Sequence, residues 1–533
     1  MNELLFIVAN EVGLRKNTIY LLNDSWDDWF TYSTQYISYY VDENSTWIRI
    51  GCVKIAEKGQ TERRASLPSV FSELSENFYS LGTSEDYYLE LKDKLKPDIR
   101  ERVLKALNDI AFNIDIYESV KAYTVTQISL KRDITETMIL GQLNRIAHGG
   151  SRLTRYSFEY SFPVSYGGED KSIDFEVIPE SKPPTNIHAI IGKNGVGKTT
   201  LLKNMLSAVY VKDYSEAFGS FDGMHFSNVI FVSYSAFDIP VFETDLPSDR
   251  RKIPYAVVGL ISQKENGEKY VKDQECLSGD FVDSLYKVSN SYKKKIWNEI
   301  IDILSSDMTF AELNIKDWIE ADSKILGANN EEGAEQILKH SGICNADSKI
   351  LGANNEERKK EFSKRIIEQY KLLSSGHKVI LLTLTKLVEL VEEKTLVILD
   401  EPEEHLHPPL VSAFVRALSK LLIYRNGVGI IATHSPVIVQ EIPKKCVWMI
   451  RRINAEFVAE RPSIQTFGEN LGELTEEIFG FEVLNSGFHK MLKEESYKID
   501  DYEEALKEFD NELGKEAQSL LKAYIFERMR SND

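Results

Sequence analysis

Apolar and polar residues alternate along two early segments of the chain, 36–41 and 47–50, which are rich in aromatic and β-branched side chains. This alternation predicts two strands, and the polar run 42–45 between them predicts their turn. From Pro97 onward the apolar residues recur every three or four positions, which predicts an amphipathic helix. We therefore expect residues 1–150 to form a small α+β domain whose aromatic side chains serve as its core.

A second set of strands follows the glycine-containing segment 148–151. Residues 156–162 and 172–178 alternate like half-buried strands, whereas 187–191 is largely apolar. Glycines and then an apolar helical face follow this last run. The pattern predicts a strand, a glycine-rich loop and a helix in succession.

Helical periodicity dominates residues 280–370, where Ile296 belongs to one apolar face. A twelve-residue segment that starts at Ala321 recurs unchanged at Ala346, which we interpret as a recent tandem duplication that the fold tolerates. From about Tyr497, apolar residues at steps of three and four predict a terminal amphipathic helix. We expect this helix either to pack on the chain's own core or to dock a partner.

Composition and charge reduce the number of protein classes to which the chain can belong. Apolar residues make up 42% and charged residues 28% of the 533 residues, which is the balance of a soluble globular protein. A formal charge of −19 argues against nonspecific coating of nucleic acid, so we expect nucleic-acid contact to be local or made through a partner. The four scattered cysteines suit a reducing cytoplasm and no zinc site. No apolar run is long enough for a membrane segment.

The glycine-rich loop at 192–200 reads Gly-Lys-Asn-Gly-Val-Gly-Lys-Thr-Thr, the residues of a Walker A phosphate loop. Its glycines permit a close turn, the next helix presents its N-terminus to the phosphates, and Lys198 reaches the β and γ groups. Thr199 is a predicted Mg²⁺ ligand. We predict ATP and Mg²⁺ as cofactors, with the loop residues Asn194, Gly195, Gly197, Lys198, Thr199 and Thr200 binding the nucleotide.

A buried-strand run ends in two acids at 396–401, the pattern of a Walker B motif in a parallel sheet. We expect Asp400 to face the phosphate loop and to hold the metal ion, and Glu401 to orient or deprotonate the attacking water. His434 follows the apolar run 429–433 in the place of a switch histidine that contacts the γ-phosphate. ATP hydrolysis is therefore the predicted activity, with Lys198, Glu401 and His434 as catalytic residues.

The segment 373–377 reads Leu-Ser-Ser-Gly-His and resembles the Leu-Ser-Gly-Gly-Gln signature of ATP-binding cassettes. This resemblance implies that Ser374 and Gly376 cap the γ-phosphate held by a second protomer, through the N-terminus of a helix. His405 and His407 fall in the loop expected to contact that protomer, and no third ligand supports zinc.

One expected part of a cassette is missing from the sequence. A glutamine usually follows the strand after the phosphate-loop helix, whereas the run 229–235 leads into Ala236 here. Ser235 or Asp238 is the candidate replacement at the metal. This departure bears on the rate of hydrolysis more than on ATP binding.

Together these motifs resemble the ATPases related to RecF, SMC and OLD proteins, and most closely the PtuA-type ATPases of Septu antiphage defence, which also occur with some retrons. The resemblance rests on the ATPase motifs and on segments spread along the chain, namely 20–26, 233–237, 466–470 and 486–490. It implies an α/β fold in which an ABC-type P-loop ATPase with a helical insertion follows the small α+β domain. The helical insertion accounts for the long separation between Lys198 and the signature.

The resemblance also implies partners. Such ATPases form a homodimer or higher oligomer through ATP-sandwiched cassettes, and they control a PtuB-like HNH endonuclease on infection. Retron versions add a reverse transcriptase and its RNA–DNA product, msDNA. No His-Asn-His constellation appears in the sequence, and the segment after about residue 480 is short, so we expect a separate polypeptide to perform any cleavage.

Two other functions remain open from the residues. A RecF/SMC-like repair or recombination ATPase would need a basic DNA track, for which 293–295 and 358–360 are short candidates. A binding scaffold that holds ATP as a structural ligand is favoured by the missing glutamine.

The patterns and motifs divide the chain into five predicted segments. These are the N-terminal α+β domain at 1–150, the ATPase lobe with Walker A at 151–280, the helical insertion at 281–370, the ATPase lobe with signature, Walker B and switch histidine at 371–480, and a C-terminal helical segment at 481–533.

Overall fold

The structure is a computed structural model that describes residues 4–24, 31–163, 166, 171–211, 215–235, 250–264, 266–319, 355–404, 406–453, 456–480, 487–499 and 501–531. The first copy of the duplicated segment, most of the second copy, Asp238 and His405 lie outside the described residues. Within those ranges, none of the helices has the length and apolar character that crossing a membrane requires.

Six strands build the N-terminal part of the fold: β1 (Leu5–Ala9), β2 (Thr18–Asn23), β3 (Gln35–Val41), β4 (Trp47–Glu57), β5 (Val70–Phe71) and β6 (Phe78–Gly82). They form one sheet in the order β5-β1-β2-β3-β4-β6, in which only β1 and β2 run parallel. The two predicted strands are confirmed as β3 and the first part of β4. Asp42 closes the predicted turn between them, because its Oδ1 accepts hydrogen bonds from the N–H groups of Asn44 and Thr46.

Short helices pack against this sheet: α1 (Glu85–Lys94), α2 (Pro97–Ala106), α3 (Ile114–Val120), α4 (Glu136–Met138) and α5 (Asn144–Ala147), with π-helical turns at Thr126–Leu130 and Ile139–Leu143. The helix predicted from Pro97 is α2. Proline is tolerated at its first position because the N–H that proline lacks would have no partner within the helix there. It buries Val103 and Leu104 against the sheet. The expected small α+β domain is present.

A small antiparallel sheet follows, made of β7 (Tyr156–Ser161), β8 (Ser172–Val177) and β10 (Ser220–Asp222) in the order β10-β7-β8. Its inward side chains, among them Phe158 and Phe175, belong to one apolar cluster with Leu201 and Met205 of the next helix. The small sheet therefore covers the helix that starts at the phosphate loop.

The central sheet contains β9 (Ile187–Ile191), β11 (Val229–Ser233), β12 (Tyr255–Gly259), β15 (Leu396–Asp400), β16 (Val428–Thr433), β17 (Val447–Ile453) and β18 (Glu456–Glu460), and a separate hairpin pairs β13 (Ile261–Gln263) with β14 (Lys269–Val271). Its order is β12-β11-β15-β16-β9-β17-β18, and all neighbours are parallel except β17 and β18. Strands β9, β11, β15 and β16 are buried along their whole length. Such burial is expected of parallel strands with helices on both faces.

The helices of this part are α6 (Lys198–Tyr210), α7 (Ser215–Phe218), α8 (Gln274–Ser289), α9 (Lys294–Leu304), α10 (Met308–Glu312), α11 (Asn355–Lys371), α12 (Ser375–Leu390), α13 (Pro408–Arg425) and α14 (Pro436–Gln440), with a 3₁₀ turn at Lys444–Cys446. Side chains of β9 alternate between the two faces: Ile190 packs with α6, whereas Ala189 and Ile191 pack with the cluster formed by α8, α9, α12 and α13. The fold class is α/β, with a P-loop ATPase domain after the small α+β domain.

A buried group of charges and rings joins the two domains. Arg425, at the end of α13, is 1% exposed, and its Nη1 lies 3.3 Å from Oε1 of the fully buried Glu85 of α1. The Arg425 Nη2 donates a hydrogen bond of 3.0 Å to the hydroxyl of Tyr292. Arg152 adds a second guanidinium, 3.9 Å from the same Glu85 oxygen.

The C-terminal helices are α15 (Leu471–Phe479), α16 (Gly487–Ser496), α17 (Tyr502–Glu508) and α18 (Lys515–Ser531). The sequence pattern predicts one terminal helix, and that prediction is wrong in this detail. Asp510 and Asn511 adopt left-handed backbone angles, with φ of 51° and 59°, and these break the helix between α17 and α18. The two helices pack with α16 on a small cluster of their own around Leu492 and Leu521.

Candidate functional site

Three parallel strands of the central sheet, β9, β15 and β16, end at one edge. Ile191 at the end of β9 lies opposite Thr433 of β16, and Asp400 at the end of β15 lies opposite Ala432. Because the carboxyl ends of parallel strands meet at the same edge, the loops that follow them converge there. The phosphate loop, the acidic pair and His434 therefore lie side by side.

The phosphate loop is shaped by two glycines. Gly197 has a φ of 105° and caps the start of α6, a backbone conformation that residues with a side chain rarely adopt. A Cβ on Gly192 would lie 2.4 Å from the carbonyl oxygen of Ile450, which rules out a side chain there. The Nζ of Lys198 donates to the carbonyls of Gly192 at 2.9 Å and Lys193 at 3.2 Å. The loop thus holds its lysine, which is only 4% exposed, beside the N-terminus of α6.

The other predicted nucleotide-binding residues of the loop have different surroundings. Asn194, Gly195 and Thr200 are exposed, so they can meet a ligand arriving from solvent. Thr199 is partly buried, and its hydroxyl donates to Asp400 Oδ1 at 3.2 Å.

Thr199 and Asp400 offer a hydroxyl and a carboxylate oxygen, the hard donors that Mg²⁺ prefers. Across the described ranges, no group of three or more His, Cys, Asp or Glu side chains is arranged as a metal cage. A site with two protein oxygens suits Mg²⁺, because this ion keeps several waters and takes further oxygens from nucleotide phosphates. The pair therefore fits the metal ion that ATP would bring.

Glu401 sits directly after the strand in a strained conformation. Its φ is 45°, the left-handed region, which costs a residue with a side chain about 1–2 kcal/mol. A hydrogen bond of 2.9 Å from its N–H to the carbonyl of Ala432 fixes the backbone. The side chain lies 3.4 Å from the Lys198 Nζ. Strain of this kind is characteristic of functional sites, where it aims a side chain.

His434 faces two carboxylates. Its Nδ1 lies 3.5 Å from Glu401 Oε1 and 3.4 Å from Glu403 Oε1, distances of ion pairs rather than of well-formed hydrogen bonds. Glu401 first, and Glu403 next, raise the pKa of His434 above its ordinary value, despite the opposing effect of burial. In turn, His434 and then Lys198 lower the pKa of Glu401. Glu401 is thereby kept ionised, as a group that accepts a proton from water must be.

Glu403 is a residue of this site that the sequence analysis did not assign. Its Oε1 accepts hydrogen bonds from the hydroxyl of Thr433 and, at 3.0 Å, from the N–H of His434. It therefore fixes the backbone that carries the switch histidine. The sequence signal was weak, because an acid in a loop that already holds several acids does not disclose which way it points.

The predicted signature residues form a separate group. Ser374 is the N-cap of α12, and its hydrogen bonds run to His377 rather than to the phosphate loop. Gly376 is buried in the first turn of α12. His377 also contacts Asp307, a residue of the helical segment that the sequence analysis did not select. His407 lies at the start of α13, with its Nε2 3.5 Å from the Asp307 carboxylate.

Of the two candidate replacements for the missing glutamine, one lies within the described residues. Ser235 lies just past β11, whose last residue Ser233 is opposite Asp400, so it belongs to the same edge of the sheet. Asp238, the other candidate, is outside the described residues.

Two comparisons with known proteins bear on this site. A family model described as "AAA domain, putative AbiEii toxin, Type IV TA system" matches residues 247–440, a range that includes the signature, the acidic pair and His434. Protein ea59 of Escherichia phage lambda is 36% identical in sequence, over 97% of this chain and 96% of its own length. The likeness to this relative therefore spans the N-terminal α+β domain as well as the ATPase domain.

Proposed function

The chain belongs to the family of protein ea59 of phage lambda, and we propose that it is an ABC-type ATPase that hydrolyses ATP, with Mg²⁺, between two head-to-tail protomers. One observation carries this proposal. Residues from three separate strand ends, Lys198, Asp400 with Glu401, and His434, meet around the N-terminus of one helix. No single motif explains that convergence, whereas a triphosphate with its metal ion accounts for all of it.

Each residue has a role that follows from its geometry. The N–H groups at the start of α6 and the Lys198 ammonium bind the β- and γ-phosphates. Mg²⁺, held by Thr199 and Asp400, would neutralise the charge that develops on the phosphates. Glu401 orients and deprotonates the attacking water, and His434, with its Nδ1 3.5 Å from Glu401, contacts the γ-phosphate beside it.

The head-to-tail arrangement is supported by the signature group. Ser374 is exposed at the N-terminus of α12, where a helix of sixteen residues offers N–H groups to an anion. Its hydrogen bonds run to His377 in its own turn and not to the phosphate loop of the same chain, so the phosphate that it caps would come from another protomer. A homodimer with two ATP molecules at its interface would pair each phosphate loop with the signature group of the other protomer.

The test is a Glu401→Gln variant with Glu473→Gln as the matched control, since Glu473 is an exposed glutamate of α15. Glu401→Gln should bind ATP, lose hydrolysis by about 10²–10⁴-fold, as expected for the loss of a general base, and accumulate as an ATP-bound dimer in size-exclusion chromatography with light scattering. The control should hydrolyse like the parent. An ATP-bound Glu401→Gln protein that stays monomeric would contradict the dimer, and unchanged hydrolysis would contradict the role of Glu401.

We further propose that this ATPase serves antiphage defence of the Septu or retron type, where it controls a partner HNH nuclease. The supports are the resemblance to PtuA-type ATPases and the toxin–antitoxin wording of the matching family model. A reverse transcriptase with msDNA would join the complex in a retron.

Exposed apolar side chains also favour a protein partner. Phe488, Met491, Tyr497, Phe526 and Met529 of the C-terminal segment are each between 48% and 65% exposed. Large apolar side chains grouped on one part of a surface are typical of protein interfaces. The nuclease is the partner we assign to this segment, and nucleic acid would then be contacted through it.

Phage plating on cells that produce the chain with its neighbouring HNH reading frame tests the defence role. Protection should require both proteins, disappear with Lys198→Ala and survive Glu473→Gln. Equal plating in all cells would contradict this role, and strong stimulation of ATP hydrolysis by DNA alone would favour a RecF/SMC-like repair ATPase instead.

A further inference from the structure

Asp307 joins three elements near the signature. It precedes α10, where its Oδ1 accepts hydrogen bonds from the N–H groups of Thr309 and Phe310 at 2.9 and 3.3 Å. The same carboxylate lies 3.0 Å from His377 Nε2 of α12 and 3.5 Å from His407 Nε2 before α13. One acid of the helical segment therefore touches both the signature helix and the loop that follows the acidic pair.

The His377 ring is held on both of its nitrogens. Its Nε2 meets Asp307, and its Nδ1 lies 2.6 Å from the hydroxyl oxygen of Ser374. The ring of Phe310 packs edge-on against it, with 4.9 Å between centroids. The His377 and Asp307 side chains are only 10% and 13% exposed, so their contact is largely shielded from water, whereas Ser374 is exposed.

The direction of these hydrogen bonds depends on the protons of the ring. An ionised carboxylate only accepts, so His377 Nε2 donates to Asp307. Nδ1 accepts from the Ser374 hydroxyl when it has no proton and donates to the Ser374 oxygen when it has one. In either case this nitrogen fixes the position of the Ser374 oxygen.

Asp307 fixes the ring from the side opposite Ser374. Although burial acts in the opposite sense, the hydrogen bond from His377 lowers the pKa of Asp307, so its carboxylate is ionised. An ionised carboxylate accepts from His377 Nε2 and so orients the ring, with Nδ1 towards the Ser374 hydroxyl. The ring of His407 lies on the same side of the site, with 6.4 Å between the centroids of the two histidine rings.

We propose that Asp307 is a positioning residue of the composite ATP site: it fixes the His377 ring, and through that ring it holds the Ser374 hydroxyl in place for the γ-phosphate of a second protomer. This inference rests on the proposed function and adds a residue to it. It also gives a reason for histidine in place of the usual glutamine at the end of the signature. Each of the two ring nitrogens reaches a different partner, so a histidine can join Asp307 to Ser374.

A double-mutant cycle tests the proposal. Asp307→Ser keeps an oxygen that can cap α10 but is too short to reach His377. It should lower kcat for ATP hydrolysis by about tenfold, as expected for the loss of one charge-assisted hydrogen bond, with the affinity for a fluorescent ATP analogue unchanged. In a His377→Gln background the same substitution should have no further effect. Asp302→Ser, at an exposed acid of α9, is the matched control and should behave like the parent.

Asp307→Asn supplies a second readout. It keeps the shape of the side chain and the cap of α10, but its amide oxygen is a weaker acceptor for His377 than a carboxylate. It should therefore recover part of the kcat that Asp307→Ser loses, again with the affinity for the ATP analogue unchanged.

Several results would overturn the proposal. These are equal losses from Asp307→Ser with and without the His377→Gln substitution, parent-like hydrolysis by Asp307→Ser, or no recovery of kcat when asparagine rather than serine replaces Asp307. If the parent binds no ATP, or if Glu401→Gln does not dimerise with ATP, the proposed function itself fails. If both of those hold and Asp307→Ser equals the parent, only the role of Asp307 is wrong.

Discussion

Replacing Glu85 by glutamine should destabilise the protein by about 3–5 kcal/mol, because it leaves a buried guanidinium without its carboxylate. Glu85 is 0% and Arg425 is 1% exposed, and their contact joins the N-terminal domain to the ATPase domain. Glutamine preserves the volume and one acceptor oxygen, so the loss is one of charge rather than of packing. Arg152 loses the same carboxylate, because its Nη2 lies 3.9 Å from Glu85 Oε1.

The size of this destabilisation follows from the burial of Glu85 and Arg425. An exposed ion pair contributes less than about 1 kcal/mol, since water screens it and its side chains must be ordered. A buried charge cannot recover its hydration, so removing its partner is much more costly. In the variant, Arg425 keeps the Tyr292 hydroxyl at 3.0 Å, the faces of the Tyr292 and Tyr424 rings, each 5.1 Å away, and the amide oxygen of glutamine, but no negative charge balances its own.

Urea unfolding followed by circular dichroism measures this effect. The matched control is Asp86→Asn, the next residue of α1, whose ion pair with Lys295 spans the same two domains at 3.4 Å but is 46% and 62% exposed. That substitution should change the free energy of unfolding by less than about 1 kcal/mol. Equal midpoints for the two variants would refute the reasoning.

The same destabilisation has a pH dependence with a defined sign. Arg425 lowers the pKa of Glu85 against the opposing effect of burial. A carboxylate with a depressed pKa in the folded state adds stability above its unfolded pKa, and this contribution is lost as pH falls through the folded value. The difference between parent and Glu85→Gln should therefore shrink in acid.

Three further predictions concern individual side chains. Glu401→Gln should lower the pKa of His434, because it removes the larger cause of its raised value; a histidine NMR titration that finds the parent pKa would contradict this. Thr199→Val should weaken ATP binding with Mg²⁺ far more than binding in EDTA, and calorimetry that finds equal losses would exclude Thr199 as a ligand of the metal. Brief alkylation of the native protein should modify the exposed Cys276 and spare Cys446, whose burial raises its pKa to about 12; equal modification in mass spectra would count against the described core.

Much of the ATPase fold could be predicted from sequence, because its strands carry unambiguous signals. The runs 187–191 and 396–400 are apolar throughout or nearly so, and each ends in residues whose chemistry requires the carboxyl edge of a parallel sheet. The grouping of Lys198 with Glu401 and His434 follows from that edge alone.

Contacts that depend on side-chain direction between distant elements could not be predicted. Asp307 reads as an ordinary helix cap, and nothing in the sequence places it against a histidine 70 residues later. Glu403 is hidden among neighbouring acids for the same reason. The break between α17 and α18 is a local case, where an apolar period of three and four continues across a left-handed turn at Asp510 and Asn511.

The composite ATP site is tested most directly by mixing two inactive proteins. Lys198→Ala lacks a working phosphate loop, and Ser374→Arg blocks the cap offered to the neighbouring protomer. In a head-to-tail dimer of the two, one pocket keeps both Lys198 and Ser374, so an equal mixture should recover about a quarter of the parent rate of ATP hydrolysis. A mixture as inactive as its two components would contradict the shared site.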